Sequence, residues 1–539
     1  MIKQGKILLA SWACHNKNYM SGQISERILG KIFKEIITFD PQEVTYNYGK
    51  KEMNESFLKV IKKERPDYIF LWLIYDEFYI DTLLRIREVS PLSKVINFFG
   101  DDDTLFYNYS RYYAPLFDAS LIFQRNFFPE YKKEGITSVF ITMGVDLESY
   151  GDLKIEKKYD VSFIGTPKSD RYEMIKYLIN NGINVKVFGF GWEVYPDLAK
   201  YYGGKLSNED FVRVINQSKI NICLTKNYQD KPHYKGRIIE ISACKSFALN
   251  EYFDGYSKIY KESKEIVMFK DKEDLLNKVK YYLRNEKERE KIAEMAYKET
   301  LSNLSLEVQF INLFKKLFSK KAKKLDKTFF EENKRVLYLT KESLHLNYHD
   351  IKKALKNFDY VSFTDKNSEQ LKYKEHFQIY SLEKSGKDIS ICDYYIYEKN
   401  LGNCLSFQSN NAFLMLNKET FSKLLLPEQF IIKKNFFIKN YKQFIKLFNN
   451  QKNSILNYEN IVFVSIPLLK TTTVPKLKLN KNELFLPKFE DKLRSINQQG
   501  KLFLDAYVYK LIIYSIFRNK FIKDRIIKRL KDELKKRFR

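Results

Sequence analysis

What most limits the way this chain can fold is a rhythm of short, almost unbroken apolar runs set between amphipathic helical stretches, repeated twice in succession. From Lys6 to about Tyr150 the runs are "KILLASW", "PDYIFLWL", "KVINFFG", "ASLIF" and "SVFITMG", with a helical stretch around "SERILGKIFKEI". Strands that are apolar on both sides and separated by helices belong to parallel sheets covered on both faces. The pattern then restarts with "YDVSFIGT", the helix "DRYEMIKYLINNG", "NVKVFGFGW", "SKINICLT", "SFALN" and "EIVMF", and ends on the helices "KEDLLNKVKYYL" and "KEREKIAEMAYKETL". The fold class is therefore α/β, with two tandem doubly wound, Rossmann-like domains over 1–152 and 153–318 and a break near Gly151 to Lys158. Two such domains face each other across a cleft at the carboxyl ends of their strands, where ligands of α/β sheets bind.

The rest of the chain is less regular. At 539 residues, 44% hydrophobic and 16% aromatic, there is material for three or more cores. After the lysine-rich "KKLFSKKAKKLDK", the runs "RVLYLT", "DYVSFTD", "NAFLMLNKETF" and "IVFVSIPLL" predict a third, smaller α/β domain over 330–475. Residues 476–539 read as an extended connector followed by a long basic helical pattern that includes "YVYKLIIYSIF". The net charge of +27 favours anionic partners. Nucleic acid is not expected among them, because the basic residues gather in linker and tail instead of alternating with aromatics along a groove. The tail is expected to rest on an anionic membrane surface, with apolar groups inserted and lysines near head groups; a helix packed on the third domain is the plainer alternative. The five cysteines show no metal-ligand spacing and fit a reducing cytoplasm. "GKILLASWAC" is too short in apolar length for a leader and reads as a first strand, and no apolar stretch reaches the ~18 residues of a membrane span. A cytoplasmic protein, peripheral on the inner face of the membrane, is expected.

One segment concentrates chemistry. In "KGRIIEISACKSFALNEYF" (235–253) a helix starting near Gly236 would set its free N–H groups and positive dipole end beside Lys235 and Arg237, a pocket suited to a diphosphate. Glu240, one turn on, suits a ribose diol. The same spacing equally describes a surface ion pair between Arg237 and Glu240, and spacing alone does not choose. "GDDD" (100–103) invites a Mg²⁺ reading, yet adjacent side chains diverge, so these aspartates are expected to cap a helix or line the cleft, with Asp101 or Asp102 orienting an acceptor. His15 follows the first strand and could take a proton from an acceptor hydroxyl, with an ordinary polar loop as the competing reading. "VFGFGW" lacks the third glycine of a dinucleotide loop; Gly189 is expected to let backbone approach a base, with Trp192 nearby. His345 and His349, four apart, have no acidic or cysteine partner at matching spacing and read as solvated.

Over roughly residues 1–318 these elements, in this order, resemble the GT-B glycosyltransferases and, within them, the CgeB-like group of the retaining branch. "YDVSFIGTPKSDR", "VFGFGW", "RIIEISACKSFALNEYFDG" and "EIVMFKDKEDLLNKVKYYL" carry the likeness in the second domain, "PDYIFLWL" and "NFFGDDDTLFYNYSRYYAPLFDASLIF" in the first. The resemblance implies transfer of a sugar from a nucleotide diphosphate donor, a UDP-sugar first, to a glycan, lipid-linked or protein acceptor. It implies that Glu240 holds the ribose, that Arg237 and Lys235 hold the diphosphate, and that Gly165 and Thr166 form the loop near the phosphates with Arg171 assisting. Two positions depart from the pattern: the earlier glutamate of the broader group is Pro232, leaving neighbouring His233 as a candidate replacement, and the glycine usual after the "AC" pair is Lys245. Because fixed cations and helix N-termini stabilise charge growing on a leaving diphosphate, no metal or cofactor is expected. The third domain faintly resembles a GT-A-type domain without its acidic motif, and reads as degenerate or acceptor-binding. A nucleotide-sugar epimerase on the same fold, or a non-catalytic basic binder, are the competing functions.

Overall fold

In the computed structural model both repeats become parallel sheets. The structure describes residues 5–12, 14, 24–73, 77–167, 170–227, 231–318, 322, most of 335–471, and 517–518. The first sheet contains β1 (Lys6–Ser11), β2 (Glu35–Phe39), β3 (Tyr68–Trp72), β4 (Lys94–Phe99), β5 (Ala119–Ile122) and β6 (Val139–Ile141). All pairings are parallel, in the order β2-β1-β3-β4-β5-β6. Helices α1 (Pro41–Tyr48), α2 (Lys50–Glu64), α3 (Ile80–Val89) and α4 (Phe128–Lys133) connect them. Local signals fix α1: Pro41 opens it with the φ a helix needs, and the Asp40 carboxylate accepts the N–H groups of Gln42 (2.9 Å) and Glu43 (3.0 Å). Alternate residues of β1 enter different cores, Leu8 and Ala10 on one face, Ile7 and Leu9 on the other, which is why the run had to be apolar throughout.

The second sheet holds β7 (Tyr159–Ile164), β8 (Val185–Phe188), β9 (Ser218–Cys223), β10 (Ala248–Glu251) and β11 (Val267–Phe269), again all parallel, in the order β11-β10-β9-β7-β8. Its helices are α5 (Arg171–Asn180), α6 (Asn208–Gln217), α7 (Gly236–Ala243), α8 (Lys272–Arg284) and α9 (Glu286–Asn303). The strand order changes direction between β7 and β9, so the crevice beyond their carboxyl ends is the place for a ligand.

The following helix, α10 (Leu306–Phe318), belongs to the second unit by sequence position but packs on the first sheet. Phe310 and Phe314 stack edge-on against Phe70 (5.7 Å) and Phe33 (4.7 Å), and Lys94 Nζ donates to the Leu317 carbonyl at 2.7 Å. Where the chain crosses back, it lies against its own outward crossing: Val145 N–H donates to Leu304 O (2.9 Å) and Leu306 N–H to Val145 O (3.0 Å). Gly144 is required there, since a Cβ would stand 2.8 Å from the Leu304 carbonyl oxygen. Two facing parallel sheets with a last helix returned to the first are the GT-B arrangement.

The third sheet is mixed. Its path is β12 (Val336–Leu339), β13 (Tyr360–Phe363), β17 (Phe430–Lys433), β15 (Ile389–Tyr397), β16 (Cys404–Phe407) and β19 (Phe517–Arg518), and off this path β18 (Ile461–Thr471) pairs with both β15 and β14 (Ser368–Gln370). Sequence reading marks β12, β13 and β18 but passes over the central β15 and β17; "NAFLMLNKETF" lies outside the described residues. Phe517 and Arg518, within the tail expected to be helical, form a strand paired with β16. The run "LIIYSIF" around them is rich in β-branched and aromatic residues, whose apolar pattern is ambiguous between the two structures. The rest of the tail lies outside the described residues. Helix α11 (Lys374–Ser385) docks this domain on the first one: Phe377 and Tyr380 meet the Tyr112 ring at 5.8 and 6.0 Å, and Glu134 accepts from both Arg111 and Tyr380.

Candidate functional site

α7 begins at Gly236. The N-cap, Lys235, is extended and contributes no side-chain cap, so the first-turn N–H groups keep their capacity to bind a ligand. A Cβ at Gly236 would stand 3.7 Å from the Phe123 ring of the first domain, which puts the helix start at the junction of the two lobes. Arg237 lays its guanidinium 4.0 Å over the Phe211 ring, with Nε 3.3 Å from Glu240 Oε2. This is not a solvated surface pair: the two side chains are 28% and 18% exposed. Arg237 Nη1 and Glu240 Oε2 are buried with no hydrogen-bond partner among the described residues. Each such orphan costs about 1–3 kcal/mol, an arrangement expected where a ligand completes the bonding.

The loop before α7 is tied to the other lobe. Gln124 Nε2 donates to Tyr234 O, and Tyr234 N–H donates to Gln124 Oε1, both at 3.1 Å. One residue earlier, His233 Nδ1 stands 2.8 Å from Asp103 Oδ2, and Asn227 Nδ2 donates to the same oxygen at 2.9 Å. Burial alone would raise the Asp103 carboxyl, but His233, Asn227 and the Lys235 charge hold it below its ordinary value, so it is an anion at neutral pH. Asp103 Oδ1 and His233 Nε2 are also buried without hydrogen-bond partners among the described residues. Asp103 was the aspartate of "GDDD" that sequence reading did not single out. Asp101 is exposed and serves through its carbonyl, which accepts the N–H groups of Thr104 and Leu105 (3.0 and 2.9 Å). Asp102 is buried against the Tyr131 hydroxyl.

Other residues named from sequence meet more structural demands. Arg171, buried, donates to Thr166 O (3.1 Å), Leu224 O (3.3 Å) and Lys226 O (3.4 Å), stapling together the loops that follow β7 and β9. Gly165 N–H donates to Phe188 O (2.9 Å), and its carbonyl accepts the Trp192 indole N–H at 2.6 Å. Gly189 has φ +119, and a Cβ there would meet Gly165 O at 2.6 Å, so this glycine is needed for two backbones to pass. Glu251, at the end of β10, escaped the sequence reading: it accepts from Thr225 N–H (2.8 Å) and pairs with Lys226 Nζ (2.9 Å), anchoring the loop that carries Asn227. His15 and His345 lie outside the described residues, and His349 heads a helix turn far from the cleft in the chain's third domain. No group of three or more His, Cys, Asp or Glu side chains among the described residues is close enough to hold a metal. Cys14, Cys223, Cys244 and Cys392 are free and buried, burial raising Cys223 to about 12, so these thiols are inert packing groups. None of the described helices is long and apolar enough to cross a membrane.

The chain is similar to the following known proteins. Residues 171–313, which include Arg237 and Glu240, match a family model described as glycosyl transferase-like. Spore protein CgeB of Bacillus subtilis (strain 168) is 21% identical over 319 residues, covering 54% of this chain and 88% of that protein. Among solved structures, a sucrose-phosphate synthase from Thermosynechococcus elongatus is 10% identical, with 59% of this chain and 100% of that one covered at a TM-score of 0.45. Anabaena Alr3699/HepE, solved in complex with UDP and glucose, is 9% identical with the same coverages at a TM-score of 0.43. These superpositions are loose, and the fold assignment rests on the strand orders given above.

Proposed function

Starting from a CgeB-like chain whose residues 171–313 are glycosyl transferase-like, we propose that it moves a sugar from a nucleotide diphosphate sugar, a UDP-sugar first, to an acceptor in surface polysaccharide or glycoprotein assembly. The observation that carries the reading is the half-buried Arg237–Glu240 ion pair at the uncapped start of α7, in which Arg237 Nη1 and Glu240 Oε2 are buried without a hydrogen-bond partner among the described residues. Glu240 accepts hydrogen bonds from the ribose diol. Arg237, Lys235 and the first N–H groups of α7 take the diphosphate. As the bond between the sugar and the diphosphate breaks, its electron pair leaves with the phosphate oxygen, and these groups already point at the growing charge. The reaction is proposed to proceed without a metal and with retention at the anomeric carbon. His233, beside the position where the broader group has a glutamate, is proposed to contact the transferred sugar through Nε2. The acceptor, glycan, lipid-linked or protein, approaches from the first domain, and the basic tail brings the enzyme to an anionic membrane from the cytoplasmic side.

The test is direct. UDP titrated into the wild-type chain should bind, and E240A and R237A should each weaken binding by about tenfold or more, the loss of one charge-assisted hydrogen bond, with circular dichroism unchanged. Unaltered affinity in both variants removes the site. Incubation with a panel of nucleotide sugars should release nucleoside diphosphate; conversion to an epimeric nucleotide sugar instead would select the epimerase.

A further inference from the structure

Five buried polar atoms without hydrogen-bond partners among the described residues lie along the junction of the lobes, and three of them belong to one cross-lobe pair: Asp103 Oδ1 and both ring nitrogens of His233. The pair is held from both sides. Asp103 sits in the irregular helical run 102–116, fixed behind by the third domain through Tyr112, whereas His233 precedes Tyr234, which the Gln124 amide clamps. With Nδ1 of His233 2.8 Å from Asp103 Oδ2 and both side chains under 10% exposed, little freedom remains for the ring. The contact is a close His–carboxylate approach, and Nδ1 itself makes no hydrogen bond among the described residues.

We propose that Asp103 is the positioning residue for His233: it fixes the imidazole as the Nδ1–H tautomer, so that Nε2 faces the junction as an acceptor for a sugar hydroxyl. This rests on the glycosyl-transfer reading for its substrate but not for its tautomer. A ring nitrogen bonded to a carboxylate carries the proton, and the opposite nitrogen then has a free lone pair. Asn227 donates to the same carboxylate oxygen and keeps it in place; Lys235 adds a favourable charge and Asp102 an unfavourable one.

The experiment uses the full chain with D103N, H233Q and the double variant. In ¹⁵N spectra of histidine-labelled protein, with the His233 signals assigned by their loss in H233Q, wild type should show the Nδ1–H tautomer and D103N should lose that preference. This readout needs no substrate, so it stands if the nucleotide-sugar reading falls. With the donor that turns over in the panel, D103N should lower kcat about 10–100-fold, the usual cost of removing the group that orients a ligating or reacting histidine. UDP affinity should stay within about twofold, so that the loss falls on kcat and not on donor binding. H233Q/D103N should be no slower than H233Q alone. An Nε2–H tautomer in wild type, full activity in D103N, or additive losses in the double variant would each overturn the assignment.

Discussion

Gly189 and Lys245 show two opposite ways in which a single backbone conformation constrains the second domain. At Gly189 both space and φ forbid a side chain: the Cβ of G189A would sit 2.6 Å from Gly165 O at φ +119. The variant should lose about 2 kcal/mol or more and melt at lower temperature. Because Trp192 donates to the same carbonyl, its fluorescence should shift as well; an unchanged melting point and spectrum would count against this account. Lys245, where the resemblance leads one to expect glycine, adopts φ +52. A lysine there costs about 1–2 kcal/mol in the left-handed region, but glycine would give back about 0.5–1 in chain entropy and lose the Glu294 ion pair at 2.7 Å, itself worth less than about 1. K245G should therefore change stability by no more than about 1 kcal/mol, measurable as the denaturant midpoint.

The run 102–116 joins opposite parts of the structure: it begins at the junction of the two lobes and ends against α11. Its buried Asp102, 1% exposed, is raised to about 7 by burial, with Tyr131 and Ser110 opposing. The ordinary unfolded value is about 3.9. Between those pH values the native chain holds a proton that the unfolded chain has lost, so this group's contribution is complete on the acid side, declines from about pH 4 to about pH 7, and is constant above. D102N should flatten that decline: its melting temperature should vary less between pH 5 and 8 than that of wild type, and parallel curves would refute the assignment. Elements of this kind mark how far sequence could be read. α7 and every strand of the two parallel sheets except β2 were legible because their cues are local, a glycine start, a 3.6 period, an unbroken apolar run, whereas Glu35 and Ile36 of β2 were read as the end of the preceding helix. Asp103 was not, because three consecutive aspartates are chemically alike until tertiary packing exposes one, buries another and pairs the third with a histidine 130 residues on. β15 and β17 were missed because a mixed sheet gives a central strand a pattern that a buried helix turn can mimic.

For the molecule as a whole, charge and core are distributed differently. Residues 1–318 are close to charge-balanced, and most of the +27 lies beyond them, so the excess positive charge belongs to the later part of the chain. The core is continuous: one apolar cluster runs from Leu8 in the first sheet through Tyr112 to Phe377 and Val464 in the third domain. F377A should cost about 3–5 kcal/mol locally and speed amide exchange in 102–116 as well as in α11. Protection lost in α11 alone would mean the third domain does not support the active-site run. The double crossing near Val145 and Leu304 has a last consequence. Two backbone hydrogen bonds tie the outward and returning segments together there, so the lobes can part only elsewhere along their junction, and any parting must break the His233–Asp103 and Tyr234–Gln124 contacts.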